Sequence, residues 1–102
     1  MLAAAPSAGA TKPDMAKLDA LRSLIAEAAA LEWTQTRGLV TGRYAVELRS
    51  DLQGEIGKLT KDPQFGPAAR QGLGALQRRD AAGLAALRDW LAALERANGR
   101  AD

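Results

Sequence analysis

Asp62-Pro63-Gln64-Phe65-Gly66-Pro67 is the stretch that organises this chain. It places two prolines and a glycine within six residues, and no helix runs through it, because proline lacks the N–H and restricts the residue before it. The sequence on either side reads as helix, so the break separates two helical pairs.

Upstream, the pattern predicts a helix from about Arg43 to Lys61, with Ala45, Leu48, Leu52, Ile56 and Leu59 along one face. Gly54 and Gly57 interrupt it at a cost of about 1 kcal/mol each relative to alanine. Close approach of another helix, or a local bend, is the simplest reason for them. Downstream, Pro67 suits the first turn of a short helix reaching Arg79, with Ala69, Leu73 and Leu76 on one side. Asp80 then caps a last helix whose stripe is Leu84, Leu87, Leu91 and Leu94. Trp90, beside that stripe, is assigned to the core.

Further upstream, Thr11-Lys12-Pro13-Asp14 signposts a first helix: Thr11 as cap, Pro13 in the first turn, Asp14 at the positive end of the dipole. Its apolar residues Leu18, Leu21, Ile25 and Ala28, with Leu24 and Leu31 alongside, form a stripe wide enough for two neighbours. It should end between Trp33 and Arg37, and Gly38 to Gly42 reads as a turn or kink. At ~1.5 Å per residue the first two helices come to roughly 30–35 Å, the third to roughly 20 Å and the fourth to roughly 25 Å. A long first hairpin should therefore overhang a shorter second one. The expected fold is all-α, an antiparallel bundle of three to four helices over residues 13–98. An Ala/Pro-rich tail or linker at 1–12 and a short tail at 99–102 complete the chain.

Composition agrees with this and removes much chemistry. The 102 residues amount to about one domain. The chain is 47% hydrophobic but only 4% aromatic, so its core must be aliphatic and closely spaced. With no Cys and no His, thiolate and imidazole chemistry and metal sites built on N or S ligands are excluded. Neither Ser-x-x-Lys nor Gly-x-Ser-x-Gly occurs. Catalytic residues, metal and cofactor are accordingly expected to be absent.

Charge is nearly balanced: fourteen Lys/Arg against twelve Asp/Glu give a net charge of +2. No run approaches the ~18 apolar residues of a membrane span. Ala8-Gly9-Ala10 matches the end of a secretory signal but lacks the regions before it. The expectation is thus a cytoplasmic protein, or a periplasmic one if residues 2–10 are a signal remnant.

Several groups invite a functional reading. Glu47, Asp51 and Glu55 stand four apart on one ridge, which reads as a solvated face offset by Lys58. Glu27 is the acid nearest the first stripe and is expected at its boundary. Among the aromatics, Trp33 and Tyr44 flank the Gly38–Gly42 break together with Arg37 and Arg43, and Phe65 sits in the Pro/Gly loop. Trp, Tyr and Arg are enriched at binding hot spots, so Trp33, Arg37, Arg43, Tyr44 and Phe65 are the candidate partner-binding residues. The competing reading keeps Trp33, Tyr44 and Phe65 as plugs of the core. Arg70, Arg78, Arg79, Arg88 and Arg96 on the last two helices are the candidates for a nucleic-acid surface.

The sequence therefore favours a non-catalytic interaction domain of adaptor, chaperone or regulator type. It would self-associate or hold a partner's amphipathic helix. Nucleic-acid binding through those five arginines, and small-molecule sensing by the bundle, are the alternatives.

Overall fold

A computed structural model of the chain describes residues 13–99. They form four helices: α1 Met15–Thr36, α2 Gly42–Gly57, α3 Gly66–Gln77 and α4 Ala81–Gly99. The described residues contain no strand, so the all-α bundle expected from the leucine stripes is what the chain builds.

Each boundary has a local cause. Helix α1 is capped by Asp14, whose carboxylate accepts from the Ala16 and Lys17 amides at 3.0 and 3.2 Å. The cap is thus Asp14 and not Thr11, which lies outside the described residues. Two helices end in the same device. After α1, Gly38 N–H donates to Gln35 O and Leu39 N–H to Thr34 O; after α3, Arg79 N–H donates to Leu76 O and Asp80 N–H to Ala75 O. Both are Schellman turns, which need a left-handed residue. Gly38 supplies it at φ 70°, and Arg79 supplies it at φ 56° with a Cβ that resists. The Gly38–Gly42 segment is consequently a turn, with Thr41 capping α2 through the Tyr44 amide at 3.2 Å.

Helix α2 stops at Gly57, four residues before the expected Lys61. Thr60 Oγ1 donates to Gly57 O at 2.8 Å, and the backbone tightens into successive three-residue turns down to Asp62. Nothing lies within 4 Å of a Cβ added at Gly54 or Gly57, so neither admits a close neighbour. At Gly72, by contrast, two other helices come close: a Cβ there would collide with Ile25 Cδ1 and lie 3.2 Å from Leu87 Cδ2.

Packing follows the stripes. Leu18, Leu21, Ile25, Ala28 and Leu31 of α1 meet Ala45, Leu52 and Ile56 of α2, Ala69 and Leu76 of α3, and Leu84, Leu87 and Leu91 of α4. Helix α1 touches all three others, α4 most extensively. The ion pairs Arg22–Glu95 at 2.5 Å and Lys17–Asp62 at 2.7 Å bring the start of α1 against the ends of α4 and α2, so both pairs run antiparallel. The length mismatch differs from the expected one: α1 and α4, at 22 and 19 residues, are long, while α2 and α3, at 16 and 12, are short. Trp90 is 56% exposed, which removes it from the core. It stands one residue before Leu91, about 100° around the helix from that core position.

Candidate functional site

One end of the bundle is tied shut and the other is open. At the start of α1, the Asp14 amide donates to Gln64 Oε1 at 3.0 Å and Lys17 pairs with Asp62. Asp62 also accepts from the Gln64 and Phe65 amides at 2.9 and 2.8 Å. The Lys17 hydrogen bond, helped by the Phe65 amide, holds the Asp62 carboxyl below its ordinary value, and the same bond raises Lys17. Arg22 bonds Asp19 at 2.7 Å and lowers that carboxyl in turn. Here the proline loop between α2 and α3 is stitched to α1 by charge and hydrogen bonds.

At the other end, where α1 stops and α4 starts, the two helices leave a groove of about 710 Å³. Its floor is Ala29, Ala30, Ala81, Ala82 and Ala85, with Trp33 and Thr34 on the α1 rim and Arg88 on the α4 rim. Alanines on the facing sides of both helices carry no long side chain into the space between them. Trp33 is 48% exposed, and the Arg37 guanidinium lies 3.8 Å above its ring. A smaller depression of about 280 Å³ continues the surface toward α2, lined by Val40, Tyr44 and Leu48 and sharing Ala30 and Thr34. Leu39 and Tyr44 are more than half exposed, so the open end presents a contiguous apolar face across three elements.

Beneath this face lies a polar contact. Glu32 and Arg49 are 2% and 8% exposed; Arg49 Nε donates to Glu32 Oε2 at 2.8 Å, and Arg49 Nη2 donates to Gln35 Oε1. The pair ties α1 to α2. Its signal is in the sequence: Glu32 continues Leu18, Leu21, Ile25, Ala28, and Arg49 stands between Ala45 and Leu52, so each is a charge on an apolar stripe. Glu27, the acid placed nearest that stripe, is exposed.

The structure brings Trp33, Arg37, Arg43 and Tyr44 to the open end, all exposed. Phe65 is not with them. It is 4% exposed, packed in the core, and its loop belongs to the tied end, so it presents no surface to a partner. The five alanines of the groove were missed: Ala29-Ala30 and Ala81-Ala82 are adjacent in the sequence, but that they face one another is set by the packing of α1 on α4.

The five arginines proposed for nucleic acid do not share one surface. Arg70 Nη1 donates to Thr60 O at 2.5 Å near the tied end, and Arg96 lies in the last turns of α4 beyond Glu95. Arg78, Arg79 and Arg88 flank the open end. Of the acidic ridge, Glu47 faces Arg43 at 3.9 Å and Glu55 bonds Lys58 at 2.9 Å. Among the described residues no group of three acids converges as a metal site would require. No helix described is long and apolar enough to cross a membrane.

Scans of protein-family models, of curated proteins and of solved structures find no match to this chain.

Proposed function

We propose that this protein is a non-catalytic helical interaction domain that holds a partner's amphipathic helix in the groove between α1 and α4. One observation carries the reading: an apolar groove floored by five alanines with a half-exposed tryptophan on its rim. Small residues let a third helix approach closely, and an indole at the edge offers a large contact area at little conformational cost. Apolar surface of this kind, left open on a small domain, marks interaction sites.

The test uses a synthetic amphipathic Leu/Ala peptide and the emission of Trp33, read in a Trp90→Phe background. Binding should shift the emission to the blue as the indole loses water. Ala82→Gln, which fills an exposed floor position with a bulkier polar side chain, should abolish the shift without unfolding the bundle. An unchanged affinity in Ala82→Gln contradicts the reading.

Small-molecule sensing is the second reading, favoured by the groove volume of about 710 Å³, within the range of roughly 300–1,000 Å³ typical of ligand pockets. It predicts that a medium-chain fatty acid shifts Trp33 emission where the peptide does not.

A further inference from the structure

Resting on the reading of the groove as a helix-docking surface, we infer that its occupant is an acidic amphipathic helix, one with Glu or Asp flanking its apolar face. The charges around the groove carry this. Arg88 lines it, and Arg37 lies over the Trp33 ring that forms its other rim. Arg78 and Arg79 stand exposed in the turn that leads into Ala81. Against these four arginines stand three acids: Asp80 accepts from the Gly83 amide at 2.9 Å, Asp89 pairs with Arg88 at 3.0 Å, and Glu27 lines the adjoining depression toward α2, on the side of α1 away from α4. The Arg88–Asp89 pair joins adjacent residues with side chains 41% and 72% exposed, a pairing weak enough to be exchanged for a partner's carboxylate.

The rest of the described surface is more evenly matched. At the tied end Lys17 meets Asp62 and Arg22 meets Glu95 and Asp19. The surplus positive charge thus gathers where the apolar surface is. A second copy of this chain, docked groove to groove, would set four arginines against four with only Glu27 of the adjoining depression to receive them on each side. A partner helix with carboxylates beside its apolar stripe satisfies both the alanine floor and the arginine rims.

The experiment uses the full chain carrying Trp90→Phe, so that Trp33 is its one tryptophan. Two synthetic peptides of about 18 residues, roughly five helical turns, share one Leu/Ala face and carry either Glu or Lys beside it. An oligothymidylate of about 15 nucleotides is the third probe, long enough to span a single-strand site. The Glu peptide should bind about tenfold tighter than the Lys peptide at low salt, as expected when two exposed arginines change from attraction to repulsion. That ratio should shrink toward one as added salt screens the rims. Arg37→Ala with Arg88→Ala should equalise the two peptides while leaving the circular dichroism melt unchanged. Equal binding of both peptides to the parent chain overturns the charge inference and leaves the docking reading standing. Absence of any emission shift with either peptide overturns both. Oligothymidylate binding tighter than either peptide, with a steep salt slope, overturns both in favour of a nucleic-acid surface.

Discussion

The two ends of this bundle solve the same packing problem in opposite ways. Where α1 begins, the chain spends its polar groups on itself: Asp14 on Gln64, Lys17 on Asp62, Arg22 on Glu95. Where α1 ends, Leu39 and Tyr44 are more than half exposed and Trp33 nearly half, and five alanines line an unfilled groove. A domain this small has little apolar surface to spare. Trp90 apart, the open end is where that surface gathers around a groove while the other end is tied, and this makes it a candidate binding face.

The contrast can be broken at several places, and the largest effect is expected under the open end. Arg49→Ala leaves Glu32 buried and unpaired, so unfolding by urea should show a loss of about 3–5 kcal/mol. A loss below about 1 kcal/mol would mean that water already reaches the pair and that α2 is loosely held. Next comes the middle of the bundle, where α1, α3 and α4 meet. Gly72→Ala pushes a methyl into Ile25 and Leu87 and should cost about 1–3 kcal/mol by the same measurement. Gly54→Ala, with open space around it, should instead gain up to about 1 kcal/mol.

At the turn beside the groove, the sign reverses. Arg79 holds a left-handed backbone that Gly38 holds freely at the end of α1. The strain of about 1–2 kcal/mol, less the chain entropy that glycine adds to the unfolded state, makes Arg79→Gly a net gain of about 0.5–1 kcal/mol. On the present reading it should also weaken binding of an acidic peptide, because a rim charge is lost.

At the tied end, the effect is read in pH. Asp62 lies below its ordinary 3.8 in the folded chain, so the unfolded state binds the proton more readily. Its contribution is therefore complete above that ordinary value and is lost as pH falls through the folded one. Lys17 lies above its ordinary 10.5, so its contribution is present below that value and is lost as pH rises through the folded one. Asp62→Asn should flatten both the acid and the alkaline limb of a melting-temperature profile. Identical profiles would show that this pair does not tie the end. The smallest effect on stability belongs to Trp33→Ala, an exposed position, where a change within about 0.5 kcal/mol is expected together with loss of peptide binding.

Much of this fold was legible because its signals are local. Gly38, Pro67 and Asp80 mark helix ends through their own backbones, and the leucine spacings name the faces that turn inward. What escaped depends on neighbours distant in sequence. Glu32 and Arg49 are seventeen residues apart; each shows in the sequence as a charge on an apolar stripe, but that the two meet is set by the packing of α1 on α2. Trp90 falls beside a leucine stripe, but whether a residue beside a stripe is covered depends on the neighbouring helix, and α3 is too short and too small there to cover it. Pro67, Ala68 and Gln71 leave it beside a notch of about 380 Å³. The candidate site divided in the same way. Trp33, Arg37 and Tyr44 were identified from residue type, while the alanine floor emerged only when α1 and α4 were placed side by side. Phe65 was grouped with them by residue type, and burial removed it.

The most direct test of the central claim is a map of amide chemical shifts in the labelled protein as the Glu-flanked Leu/Ala peptide is added. Perturbations should concentrate at Ala29–Thr34 and Ala81–Arg88, with Asp14–Arg22 and Asp62–Arg70 unmoved. Shifts centred on the tied end, or on the notch beside Trp90, would contradict it.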